Sequence, residues 1–105
     1  MRIDGAGNVG IGTTNPVASL DIIGVVSAPS ITAQSGILRL SPATAITGLN
    51  MGIYDSSPYG SWIQTTNQPA SGGGAFPLTL NPMGGNVGIG TTAPKNKLDV
   101  EGGVV

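Results

Sequence analysis

Cysteine and histidine are both absent from this 105-residue sequence, which has only four basic and five acidic side chains. Without cysteine the chain has no disulfides, thiol chemistry or thiolate metal sites. Without histidine it lacks the commonest general base and the commonest metal ligand. The five carboxylates are scattered without metal-ligand spacing. We therefore expect no enzyme activity, no metal and no cofactor.

Strong charge and long apolar runs are also missing. The formal net charge is −1, so there is no basic surface to attract nucleic acid or an anionic membrane. No run of 18 apolar residues occurs, so the sequence predicts no transmembrane helix. We expect neither nucleic acid nor membrane insertion.

Aromatic residues are scarce, whereas glycine is abundant. The sequence has 18 Gly and 8 Pro but only four aromatics. Ile, Val, Leu and Phe still make up 26 of the 105 residues, enough apolar side chain to predict a folded chain. Small aliphatics separated by glycine suit thin elements that complete their core against other chains.

One internal repeat dominates the sequence. Residues 7–26 (repeat 1) read GNVGIGTTNPVASLDIIGVV, and residues 85–104 (repeat 2) read GNVGIGTTAPKNKLDVEGGV. The two match at an offset of 78, with thirteen of twenty positions identical. A related pattern, L-x-L-S/N-P, occurs at 38–42 and 78–82 and suggests a shorter sub-repeat. Ile3 is interpreted as the counterpart of the strand that precedes repeat 2.

Each repeat predicts a strand, a turn and a second strand. Val9 and Ile11 alternate with glycines, residues 13–16 carry a turn signal that ends in proline, and Leu20 and Ile22 alternate with polar or exposed positions. We expect the strand glycines to be closely approached by neighbouring backbone. No segment has the apolar spacing of a helix. The fold class is therefore predicted to be all-β.

The apolar stripe of each repeat is too narrow to be buried within one chain. We therefore predict parallel association in which identical stripes from several copies face a shared core. The eight residues of that core are Val9, Ile11, Leu20, Ile22, Val87, Ile89, Leu98 and Val100.

The motif GNVGIGTTxPxxxLDI/VxG, preceded in repeat 2 by PLTLNPMG, resembles the repeat of trimeric phage tail fibres and of related fibre adhesins on bacteria, including predatory ones. The likeness covers residues 5–28 and 76–105. It implies an intertwined homotrimeric β fibre outside the cell, on a virion tail or a bacterial surface, and a structural and adhesive role. We divide the chain into repeat segments 1–28 and 76–105 and a central β-rich segment 29–75, which is either a spacer or a small inserted head.

The central segment gathers three of the four aromatics among amides and hydroxyls. Rings that stack on sugars and planar groups that bond hydroxyls are what a glycan site needs. The candidate ligand residues are Tyr54, Asp55, Tyr59, Trp62, Gln64 and Asn67. Trp62 is favoured instead as a residue that fills the core of the widest part of the trimer, and the two tyrosines are favoured as exposed residues. The alternatives to a fibre module are a carbohydrate-binding tip and, less favoured, a polysaccharide depolymerase, which needs two positioned carboxylates.

Three sharper interpretations have weaker support. G-x-G-x-x-G at 5–10 lacks the helix that a dinucleotide site requires. Asp21 and Asp99 could ring a threefold axis and bind Ca²⁺, but their alternation with leucine favours a solvated outer face. The paired threonines of each repeat lack a neighbouring base, so we expect their hydroxyls to bond turn backbone.

Overall fold

The computed structural model describes residues 1–31, 35–43, 47–57, 59–67 and 73–102, which contain β-strands and no helix. The all-β prediction is confirmed, and nothing in these ranges is a helix that could span a membrane. The strands are β1 (Arg2–Ile3), β2 (Val9–Ile11), β3 (Leu20–Ile22), β4 (Leu38–Leu40), β5 (Thr47–Ile53), β6 (Ser61–Asn67), β7 (Val87–Ile89) and β8 (Leu98–Val100). They form three small sheets, β1-β2-β3, β4-β5-β6 and β7-β8.

The two repeats have the same fold. In repeat 1, β2 and β3 are parallel with Val9 opposite Leu20, and in repeat 2, β7 and β8 are parallel with Val87 opposite Leu98. The flanking backbone bonds match as well, since Val9 N–H donates to the carbonyl of Ser19 (2.8 Å) and Val87 N–H to that of residue 97 (2.9 Å). The prediction that both repeats share one conformation is confirmed.

Only residues 12–19 join the parallel strands of repeat 1, although a parallel connection usually takes a dozen residues or more. Glycine makes this short path possible. A Cβ on Gly10 would lie 2.5 Å from the carbonyl oxygen of Thr13, and one on Gly88 would lie 2.6 Å from that of Thr91. The predicted close approach is confirmed at these two positions, and the approaching backbone belongs to the same chain.

The connection is held by side chains from both of its ends. Thr13 Oγ1 and Thr91 Oγ1 each accept the N–H two residues later, at 3.1 and 3.2 Å, as predicted for these hydroxyls. At the other end, Asp21 Oδ2 accepts the N–H of residue 17 (3.0 Å) and Asp99 Oδ2 that of residue 95 (2.9 Å). Both aspartates are half-buried. This corrects the expectation of a merely solvated face, because each carboxylate fastens the connection to its strand.

The central sheet is antiparallel, and its long hairpin pairs β5 with β6 over seven residues, with Met51 opposite Ile63. Strand β4 pairs with β5 on the other side. The segment Leu38–Leu40 is therefore a strand of this sheet, whereas Leu78–Leu80 is not in a strand. The suggested sub-repeat thus does not share one conformation, because only its first occurrence has a neighbouring strand to pair with.

Trp62 forms the small core of the central sheet. It is the one large hydrophobic side chain among the described residues that is buried, at 8% exposure. Its indole N–H donates to the carbonyl of Ser27 (2.8 Å), and its ring covers Gly52, where a Cβ would lie only 2.5 Å away. The preference for Trp62 as a core residue is confirmed, but its expected place in a trimer core is wrong, because residues of its own chain bury it.

Candidate assembly and ligand surfaces

The three sheets share an arrangement that is unusual for a self-contained domain. Paired residues on neighbouring strands point to the same side of a sheet, so the pairings separate each sheet into an aliphatic face and a face of mostly Gly, Asp, Asn or Arg, which in the central sheet also carries Trp62. An isolated antiparallel sheet normally packs its apolar face on the core and leaves the polar face in water. Here the chain covers the polar and glycine side instead.

The aliphatic faces of the repeats stay open. Ile11, Leu20, Ile89 and Leu98 are 43%, 58%, 55% and 61% exposed. The other four predicted trimer-core residues are half-buried, namely Val9, Ile22, Val87 and Val100. All eight therefore lie on faces that their own chain does not close, and the glycines between them lie on the opposite faces.

The central sheet has a larger open face of the same kind. Leu40 and Ile63 are more than half exposed, and the remaining members are exposed or half-buried. We call this set the central aliphatic face: Leu38, Leu40, Leu49, Met51, Ile53 and Ile63. The candidate residues chosen from sequence omit it. The signal was present in the alternation of Leu49, Met51 and Ile53 with small or polar residues.

A cleft of about 450 Å³ connects two of the open faces. Ile22 of repeat 1 lines it together with Leu38, Met51, Ile53 and Ile63 of the central aliphatic face. The apolar surface therefore continues from the first sheet onto the second.

The covered face of the central sheet is polar apart from Trp62. Asn50 is 1% exposed and its Nδ2 donates to Thr66 Oγ1 at 2.6 Å. The Arg39 guanidinium lies over Gly48, where a Cβ would come within 2.6 Å of Nη2. Asn50 Oδ1 and Arg39 Nε and Nη2 are buried without a hydrogen-bond partner. Since unpaired buried polar groups cost free energy, this covered face is a poor substitute for an apolar core.

Area and charge both suit association through the open faces. The chain exposes 7485 Å², against roughly 5,400 Å² for a compact monomer of 10.4 kDa, and its radius of gyration is 16.9 Å against about 13 Å. The charged strand residues Arg2, Asp21, Arg39 and Asp99 all lie on the faces opposite the aliphatic ones. No like charges would thus be brought together when copies meet on these faces.

A second candidate surface is the tip of the β5–β6 hairpin. Tyr54 N–H donates to the Gly60 carbonyl (3.0 Å) and Tyr59 N–H to the Ser56 carbonyl (2.8 Å), which closes the loop. Tyr59 has a positive φ of 56° and its side chain is 75% exposed. Asp55 is exposed beside them and Tyr54 is half-buried. Left-handed backbone is uncommon for a bulky residue and is often found at binding sites.

The other predicted ligand residues do not join this tip. Trp62 is buried in the chain. Gln64 donates to the Thr65 carbonyl on the polar side of the sheet, and Asn67 ends β6, eight residues beyond Tyr59. Along an extended strand this is a separation of roughly 25 Å. Of the six candidates, the structure therefore brings together Tyr54, Asp55 and Tyr59.

Within the described residues, no three Asp or Glu side chains come close enough together to hold a metal ion. Comparison of the chain with models of known families, with curated proteins and with solved structures gives no match.

Proposed function

We propose that this chain is a structural and adhesive module of a homotrimeric extracellular fibre, of the kind found in phage tail fibres and bacterial fibre adhesins. The observation that carries the proposal is the open aliphatic face on each of the three sheets. Such faces are stable in water only when another surface covers them. Identical copies can supply that surface without a further partner. Their aliphatic faces carry no charged strand residue, so they can meet without charge repulsion.

The excess surface favours a ring in which each copy has two neighbours. The chain exposes about 2,000 Å² more than a compact monomer of its mass. A stable interface buries roughly 800 Å² on each partner. Two such interfaces per chain account for most of the excess, as in a trimer, whereas one interface, as in a dimer, leaves over half of it in water.

Light scattering coupled to size-exclusion chromatography tests this proposal. We expect a single species of three times the chain mass of 10.4 kDa, with the circular dichroism of a β protein. A folded monomer at micromolar concentration would contradict the proposal. A folded dimer would retain self-association but exclude the threefold arrangement.

A carbohydrate-binding tip is the second candidate function, and the exposed Tyr59 with its left-handed backbone favours it. The Tyr59 ring can stack on the face of a sugar, and the neighbouring Asp55 carboxylate can accept hydrogen bonds from the sugar hydroxyls. Three copies would raise a weak affinity through avidity. A polysaccharide-cleaving activity has weaker support, because the tip contains only Asp55 as a carboxylate.

A glycan array tests the ligand site. Hits should be lost with Tyr59→Ala and reduced with Tyr54→Ala while the molecular mass in solution is unchanged. The matched control is Phe76→Ala, which removes a partly exposed ring outside the tip and should keep the hits. Hits that survive both tyrosine changes would make the hairpin tip a structural loop.

A further inference from the structure

The two repeats differ in one respect that their matching sequences do not suggest. In repeat 1, strand β1 pairs antiparallel with β2, with Arg2 opposite Gly10 and Ile3 opposite Val9. In repeat 2, the sheet consists of β7 and β8 only, as far as the described residues show. The edge of β7 that corresponds to the β1 side of β2 is therefore unpaired within the described chain.

The segment that should fill this edge is present in the sequence but unpaired. When the turn before repeat 2 is allowed one extra residue, so that Asn81 corresponds to Asp4, Thr79 and Leu80 occupy the places of Arg2 and Ile3. Leu78 and Leu80 are 46% and 62% exposed. No hydrogen bond joins Leu78–Leu80 to any other residue that the structure describes. A short alternating segment thus has free backbone groups next to a sheet that lacks one strand.

The turn before repeat 2 diverts this segment from its own sheet. In repeat 1, Asp4 N–H donates to the Asn8 carbonyl and closes the turn from β1 to β2. The corresponding turn from Asn81 to Asn86 is one residue longer and contains Pro82. There the Asn86 carbonyl accepts the side-chain amide of Asn81 (3.1 Å). Asn81 also has a positive φ of 51°, which changes the direction of the incoming chain.

We propose that Thr79 and Leu80 of one copy pair antiparallel with Gly88 and Val87 of a second copy, so that an exchanged strand completes the sheet of repeat 2. In repeat 1, β1 occupies the edge of β2, which indicates that the equivalent edge of β7 accepts an antiparallel strand. The segment Leu78–Leu80 of a second copy can supply that strand. The proposal rests on the proposed self-association. Each copy would give one strand and receive one, which closes as a ring under threefold symmetry.

Engineered disulfides test the exchange, because the chain has no cysteine of its own. The repeat 1 register places Leu80 opposite Val87. Ile3 and Val9 adjoin the bonded Asp4–Asn8 pair, so they form a non-hydrogen-bonded pair, in which Cα atoms lie about 4.5 Å apart, within the range for a disulfide. We expect oxidised Leu80→Cys/Val87→Cys protein to run as covalent dimer and trimer on a non-reducing denaturing gel.

The matched control is Ile3→Cys/Val9→Cys, which should form its disulfide within one chain and run as a monomer. If the Val87 change prevents folding, Leu78→Cys/Ile89→Cys tests the next pair in the same register. A disulfide within one chain, or free thiols in an assembled trimer, would overturn the exchange while leaving self-association intact. An unmodified protein that is monomeric by light scattering would instead overturn the self-association on which the exchange depends.

Discussion

Individual glycines decide how closely this chain folds on itself. Gly12 and Gly90 occupy equivalent positions at the ends of β2 and β7, and both have positive φ, 78° and 75°. Their surroundings differ. A Cβ on Gly12 would lie only 2.1 Å from the Ile23 carbonyl oxygen, whereas one on Gly90 would lie 3.4 Å from its nearest atom, Glu101 Cβ. A substitution at Gly90 therefore measures backbone strain alone, whereas the same substitution at Gly12 measures strain together with steric overlap.

We predict that Gly12→Ala is clearly more destabilising than Gly90→Ala. The left-handed backbone costs either alanine about 1 kcal/mol, and only the alanine at position 12 also collides with backbone. In urea unfolding, the Gly12→Ala variant should lose at least about 1 kcal/mol more unfolding free energy than the Gly90→Ala variant. Equal losses would mean that the Ile23 carbonyl moves away freely.

Trp62 offers a second test at the scale of one residue. Trp62→Phe keeps an aromatic ring over Gly52 but removes the N–H that binds the Ser27 carbonyl. We predict a loss of ~1–2 kcal/mol in unfolding free energy, because the carbonyl is left unpaired in a partly buried site. The matched control is Tyr59→Phe, whose side chain is 75% exposed and whose change should be close to neutral. An unchanged unfolding free energy in Trp62→Phe would show that water replaces the indole N–H as the hydrogen-bond donor to the Ser27 carbonyl.

At the scale of the element, the important property of each sheet is which face the chain covers. Thr13 lies against Gly10 on the glycine face of the first sheet, and Ser27 and Gly36 lie against Trp62 on the covered face of the central sheet. The aliphatic residues are thereby left on the opposite side. The chain thus covers the glycine and polar faces itself, which leaves the aliphatic faces for the proposed association.

We predict that Ile63→Lys prevents assembly and leaves a monomer of much lower stability, because association would supply most of the apolar burial. Ile63 is 53% exposed in the single chain, so lysine is tolerated there, but association would bury an unpaired ammonium in every copy at a cost of several kcal/mol. Light scattering should give a monomer, and the fluorescence of Trp62, on the other face, should report unfolding at a lower temperature than in the wild-type protein.

The matched control for this face is Ser56→Lys, which adds the same charge at the exposed hairpin tip and should leave the trimer intact. A trimeric Ile63→Lys protein would show that the central aliphatic face is outside the interface.

Sequence predicts the strands of the repeats well because alternation of aliphatics with glycine is a local signal. It does not predict that β2 and β3 are parallel, since connections as short as eight residues are unusual for that geometry. At the ligand site, the exposure of Tyr59 follows from its loop of small residues. The separation of Gln64 and Asn67 from the tip does not follow from the sequence, because it depends on where β6 begins.

At the scale of the whole molecule, stability should depend on how many copies are present. A single chain has one buried large hydrophobic side chain among its described residues, too little core for a domain of this length. Most of the apolar burial, and hence most of the stabilisation, would come from association.

We predict that the midpoint of thermal unfolding falls on dilution of the wild-type protein, by about 4 °C for each tenfold step if three copies unfold together. The Ile63→Lys variant should show no such dependence. Differential scanning fluorimetry over two decades of concentration measures both. A wild-type midpoint that stays constant would show that the single chain holds most of its own stability.

The eight-residue connection of each repeat also has a consequence for the order of events as the chain folds. Its strands are joined through residues close in sequence, and loops of this length close in about 10–100 ns, whereas subunit assembly takes milliseconds to minutes. Each repeat can therefore pair its strands soon after it leaves the ribosome, before it associates with other copies. Refolding should show a fast, concentration-independent phase followed by a slow phase that accelerates as protein is added.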